Sequence, residues 1–304
     1  MKQIRTDLAM EAFNAAGSVP GVQVNHWEES GVHVTEVVVQ TDQAARTLQK
    51  TKGTYLTLEC EGVRTRDPES RRAVSNVLGE EIMRMLPPDE MDAPVLVVGL
   101  GNRMVTPDAL GPKCVDKTLV TRHLIQELPD QVDERLKNVC AIAPGVLGVT
   151  GLETMETVSA LVREIHPRCI ICIDSLAARS SRRVGVSIQL SDTGIQPGSG
   201  VGNHRRALSE AELGVKVIAI GMPTVVYAST LARDALEMMS EGEAETQTLD
   251  EITRALFENE IGEMIVTPRE VDDMISDASD MIADGINRAL QNALSDSEID
   301  GLML

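Results

Sequence analysis

Short apolar runs recur along the chain, each closed by glycine, proline or a polar cluster. Val95-Leu96-Val97-Val98, entered through Asp92-Ala93-Pro94, reads as a buried strand. Similar runs begin at Val139, Ile170, Val184 and Val217. Residues 31–40 alternate instead, with Val32, Val34 and Val37 to Val39 set around His33, Thr35 and Glu36. They predict a strand, and residues 53–59 predict another. Residues 67–86 carry charges at helical spacing and stop at Pro87-Pro88. Residues 114–128 predict a helix closed by Pro129. Val271, Ile275, Ala278, Ile282 and Ile286 form an apolar helical stripe, with Thr267 able to cap and Pro268 suited to the first turn.

Strands alternating with helices specify an α/β protein. The expected architecture is a three-layer sandwich with a largely parallel or mixed central sheet. Residues 8–92 add an N-terminal β-rich portion packed on that sheet, 93–290 form the core, and 291–304 form a tail. No linker divides residues 8–304, so they read as a single domain.

Composition narrows the picture. The chain has 304 residues, 42% of them hydrophobic, which suffices for a full core. Aromatics are 2% of the chain, so the core is aliphatic, with 14 methionines as adaptable fillers. A net charge of −19 with no long basic patch argues against direct nucleic-acid binding. The cysteines are Cys60, Cys114, Cys140, Cys169 and Cys172, an odd set that suits a reducing cytoplasm. Cys169 and Cys172 have redox-motif spacing, but on a strand they point to opposite faces and read as buried structural thiols. No run approaches the length of a membrane span, and no signal-like stretch opens the chain. The expected location is cytoplasmic.

The chemistry gathers where apolar runs end. After Val98 come Gly99-Leu100-Gly101-Asn102 and then Thr106-Pro107-Asp108. The run from Cys169 ends in Asp174. An acid at the end of a buried strand is where open α/β sheets hold their reactive groups. Alone, Asp174 would read as a helix N-cap; two strand-end aspartates in one chain point to a shared crevice. The backbone N–H groups of Gly99, Gly101 and Asn102 are candidates for an oxyanion site. Two glycine-rich loops, with Gly145, Gly148 and Gly151 and with Gly198, Gly200 and Gly202, are candidate cleft walls. Neither has the lysine of a phosphate-binding loop or dinucleotide-binding spacing, which counts against a nucleotide-binding module. Asp192-Thr193-Gly194 is too short to carry weight as a protease triplet. His123 reads as a packing or hydrogen-bonding residue. The Gly-x-Gly-Asn…Asp block also looks similar to that of the hydrogenase-maturation peptidases, which implies a metal-assisted hydrolase as an alternative, with His204 the one tempting third ligand.

These blocks resemble the germination protease family of endospore-forming bacteria. The likeness rests on Gly99-Leu-Gly-Asn102, Val105-Thr-Pro-Asp-Ala-Leu-Gly-Pro112, Pro144 to Thr154, Ile173-Asp-Ser-Leu-Ala-Ala-Arg179, Ser191 to Asn203 and Met264 to Asp273. It departs at Arg103-Met104 and at Tyr227. The resemblance implies an atypical aspartic endopeptidase, without cofactor or metal, that degrades small acid-soluble spore proteins in the forespore or spore core. It implies Asp108 and Asp174 as the catalytic pair and a homo-oligomer such as a tetramer. Arg5-Thr6-Asp7-Leu8-Ala9 resembles the family's self-processing signature. Cleavage after an acidic residue places the processed bond at Asp7–Leu8, with residues 1–7 as a propeptide.

Overall fold

Side-chain alternation gives the central strands two apolar faces. In the computed structural model, which describes residues 6–88, 93–196, 206–239, 248–249, 251–253 and 261–303, those faces belong to one mixed sheet. Its strands are β1 (Val22–Glu29), β2 (Val32–Val39), β3 (Gly53–Glu59), β4 (Val95–Gly99), β5 (Val139–Ile142), β6 (Cys169–Ala178), β7 (Ser187–Ser191), β8 (Lys216–Tyr227) and β9 (Ile265–Val266). The spatial order is β1-β2-β3-β7-β8-β6-β4-β5, with β9 beside β8. β8, β6, β4 and β5 are mutually parallel. β1, β2, β3 and β7 continue the sheet in antiparallel pairs.

Val95, Val97, Ile171 and Ile173 face one side of the sheet. There they join Val77, Leu78 and Ile82 of a helix at Pro68–Met85 and Ile275, Ile282 and Ile286 of a helix at Val271–Leu290. Leu96, Val98, Ile170 and Cys172 face the other side, against Met155 and Val158 of the helix Thr154–Ile165. Helices on both faces make three layers. Cys169 and Cys172 fall on opposite faces as their strand spacing requires. Burial pushes the Cys169 thiol up to about 12 and raises that of Cys172, so neither is a ready nucleophile.

Several elements differ from the sequence expectation. The N-terminal strands do not pack on the sheet; they extend its edge, because β3 pairs with β7. β1 escapes the periodicity because it is an edge strand with few buried side chains. Its signal is Ser30-Gly31, both at positive φ as a tight hairpin of the I′ kind requires. The helix expected over 114–128 is two, Leu110–Asp116 and Arg122–Glu127. The strand expected from Val184 starts at Ser187, and the one expected to stop near Ile220 runs on through Pro223 to Tyr227. Asp174 lies inside β6 and not at its end. Thr267 does not cap the following helix; its hydroxyl donates to the Thr224 carbonyl at 2.8 Å. The tail contains a helix, Asp296–Leu302, with Ile299 buried. Gly198, Gly200, Gly202 and His204 lie outside the described residues.

Candidate active site

β4 stops at Gly99, opposite Ile173 of β6. The chain then doubles back, the Leu100 N–H donating to the Ile173 carbonyl at 2.8 Å. A 3-10 turn, Thr106–Asp108, leads into the helix at Leu110–Asp116. Packing is close enough to demand glycine. Gly101 has φ +113°, and a Cβ there would stand 2.0 Å from the Asp108 carbonyl oxygen. A Cβ on Gly99 would stand 2.2 Å from the Gly111 carbonyl oxygen. The Asn102 N–H donates to both the carbonyl oxygen (3.0 Å) and Oδ2 (2.9 Å) of Asp108. Behind the turn, the buried Thr224 of β8 donates from its hydroxyl to the Pro107 carbonyl at 2.7 Å. Asp108 is thus positioned by β4, β8 and its own turn.

Asp174 reaches the same place differently. Ile173 is the last β6 residue paired with β4, and Asp174, paired with Gly221 of β8, is the first beyond it. The crevice opens where β6 loses a neighbour, so a residue inside a strand behaves topologically as one at a strand end. Asp174 is 7% exposed, and its Oδ1 accepts from the Ser175 N–H at 2.9 Å. Both aspartates line one cavity of about 570 Å³. Ser175 also lines it, and its buried hydroxyl has no hydrogen-bond partner among the described residues. A buried carboxyl, that of Asp174, and an orphan hydroxyl are costly in a fold that does not use them.

The N-terminal segment enters this cavity. Asp7 is one of its lining residues, with Lys50 and Gln189. The Asp7 N–H donates to the Ala177 carbonyl at 3.0 Å, and the Ala177 N–H donates to Asp7 Oδ2 at 2.8 Å. Leu8 is fully buried in a cluster with Leu176, Ala178, Val184 and Val226. The helix Ala9–Ala16 follows, and its Glu11 accepts from the Arg179 N–H at 2.7 Å and from Arg183 Nη1 at 3.1 Å. Thr6 Oγ1 also donates to Glu11.

The other sequence candidates divide. Gly145 lines the cavity, whereas Gly148 and Gly151 are exposed and lie off it. The N–H groups of Leu100 and Asn102 are engaged within the protein, the latter on Asp108, so this part of the loop orients Asp108. Arg103 turns away to a bidentate pairing with Asp116, and Met104 is 85% exposed; neither lines the cavity. His123 is exposed on its helix and not packed. Among the described residues no group of three or more His, Cys, Asp or Glu side chains is placed to hold a metal ion. Lys50 and Gln189 carry no sequence motif. The available signal for Gln189 is one polar residue between Ile188 and Leu190, both fully buried in β7.

The sequence profile described as germination protease matches residues 2–262. The germination protease of Clostridium tetani is 40% identical to this chain, with 99% of each chain covered. That of Clostridium acetobutylicum is 42% identical over 99% of each. That of Bacillus cereus is 38% identical, over 96% of this chain and 94% of its own. Likeness of that extent and identity means that the chain belongs to the germination protease family and is a peptidase of spore germination.

Proposed function

We propose that this peptidase initiates degradation of small acid-soluble spore proteins by an aspartate-pair mechanism and that it processes its own N-terminus. The observation that carries this reading is the shared cavity: Asp108, Asp174 and the acidic residue before the Asp7–Leu8 bond all line it. Two neighbouring carboxyls cannot both ionise cheaply, so the pair holds one proton between them. The ionised member takes a proton from water as the water adds to the peptide carbonyl. The protonated member gives its proton to the departing nitrogen. The pair titrates as a unit, so the two roles belong to the pair.

Residues 1–7 are the propeptide on this reading, and 8–304 the peptidase unit. On this reading Asp7 occupies the position of an acidic residue preceding a substrate's cleaved bond, held to Ala177 of β6 by its N–H and its carboxylate. A tethered segment competes with substrate at high effective concentration. By the same family resemblance the working form is a homo-oligomer in the spore core; among the described residues no helix is long and apolar enough to cross a membrane.

The test is incubation of a small acid-soluble spore protein with the Leu8-start form, with product termini read by mass spectrometry. Cuts following acidic residues, undiminished by prior dialysis against a chelator, are the expected result. Turnover that vanishes on chelation and returns with a divalent ion would favour metal-assisted hydrolysis instead.

A further inference from the structure

When water adds to a peptide bond, negative charge gathers on its carbonyl oxygen. For the Asp7–Leu8 bond that atom is the Asp7 carbonyl oxygen, and two side chains already donate to it. Lys50 Nζ stands 2.7 Å away and Gln189 Nε2 3.1 Å away. They come from separate elements. Lys50 follows the helix Asp42–Leu48, and Gln189 lies in the middle of β7.

Their remaining contacts follow the same length of backbone. Lys50 Nζ also donates to the Thr6 carbonyl at 3.1 Å. Gln189 Oε1 accepts from the Ala9 N–H at 2.7 Å, so its amide bridges the bond from the carbonyl on one side to the second N–H on the other. Gln189 is 8% exposed. Burial pulls the Lys50 ammonium below the usual lysine range, while Asp7 and Glu11 oppose that shift. Donors fixed in a water-poor site act strongly on developing charge, because nothing must reorganise as it forms.

We infer that Lys50 and Gln189 form the oxyanion site of this peptidase, at the Asp7–Leu8 bond and at any substrate bond that takes its place. This rests on the proposed hydrolysis in the cavity of Asp108 and Asp174. The water oxygen bonds to the Asp7 carbonyl carbon, and its proton passes to the ionised carboxylate. The carbonyl π pair moves to oxygen, where Lys50 and Gln189 donate to it. As that pair returns, the carbon–nitrogen bond breaks, and the protonated carboxyl supplies a proton to the Leu8 nitrogen. The products are the Asp7 α-carboxylic acid, which keeps the second proton of the water, and the Leu8 amine, and the pair is left with the one proton it began with.

The alternative is that Lys50 merely anchors the leader. The experiment that separates the two uses the Leu8-start protein and a peptide carrying residues 5–9 in trans, where no leader needs anchoring. Lys50→Met is expected to lower kcat by about 100-fold, with the smaller effect on KM. Lys50→Arg, which keeps a cationic donor, is expected to recover part of the loss. Gln189→Leu is expected to lower kcat as well, since it removes the second donor to that carbonyl oxygen. Melting curves accompany each variant; should Lys50→Met melt early, Lys50→Gln carries the same comparison. Turnover by Lys50→Met within about twofold of wild type, with Asp174→Asn inactive, overturns the oxyanion assignment alone. A wild-type protein that cuts neither the peptide nor its own leader overturns the underlying reading as well.

Discussion

At Gly101 a single position sets where Asp108 stands. Its positive φ and the 2.0 Å approach of the Asp108 carbonyl leave no room for a side chain. Gly101→Ala must therefore strain the loop and push the turn at Thr106–Asp108 outward. A non-glycine residue held at such a φ costs about 1–3 kcal/mol. Asp108 moves with the turn, so activity is expected to fall by more than the loss of stability explains. Steady-state kinetics beside a melting curve check this, and wild-type turnover from a destabilised variant would contradict it. At this scale the convergence of Asp108 and Asp174 on one cavity was legible, because both are acids that follow apolar runs. Lys50 and Gln189 were not, because their meaning lies in convergence on one carbonyl from elements 139 positions apart in the chain.

Elements were read well where periodicity is strong and poorly where it is interrupted. The stripe on the helix Val271–Leu290 is buried at Ile275, Ala278, Ile282 and Ile286 as its spacing requires. The break between Leu110–Asp116 and Arg122–Glu127 was missed because apolar residues continue across it at Leu119 and Val120. The last helix was missed although Ser295 and Glu298 form a reciprocal capping box, visible in sequence as Ser-x-x-Glu. That helix supplies a pH prediction. Arg135, and then the Ser295 N–H, hold the Glu298 carboxyl down to about 2. A free glutamate titrates near about 4.3. The lowered value stabilises the fold fully above the unfolded value, and this stabilisation is lost as pH falls towards 2. Glu298 is well exposed, so the effect is small. Glu298→Gln is expected to melt slightly below wild type at pH 7, with the gap closing between about pH 4 and 2. A gap that widens on acidification would contradict the assignment.

For the whole molecule, strands alternating with helices were enough to specify an α/β sandwich with a mixed sheet. They were not enough to place β1, β2 and β3. Pairing between β3 and β7 is a contact between residues more than a hundred positions apart, and no local pattern encodes it. That pairing builds the cavity. β7 carries Gln189, and the turn leading into β3 carries Lys50, so the antiparallel half of the sheet supplies one wall of the cavity and the parallel half supplies the aspartates. The N-terminal segment crosses between them.

The central claim is that Asp108 and Asp174 together hydrolyse a peptide bond in that cavity, beginning with the protein's own. Intact-mass measurement of the full-length chain during mild acid incubation tests it most directly, with Asp108→Asn and Asp174→Asn beside wild type. Asparagine keeps each side chain's shape and removes its ionisable group. Wild type is expected to lose residues 1–7 and start at Leu8, while both variants stay full length, folded and inactive. A variant that acquires the Leu8 terminus at the wild-type rate, in the absence of any wild-type protein, would contradict it.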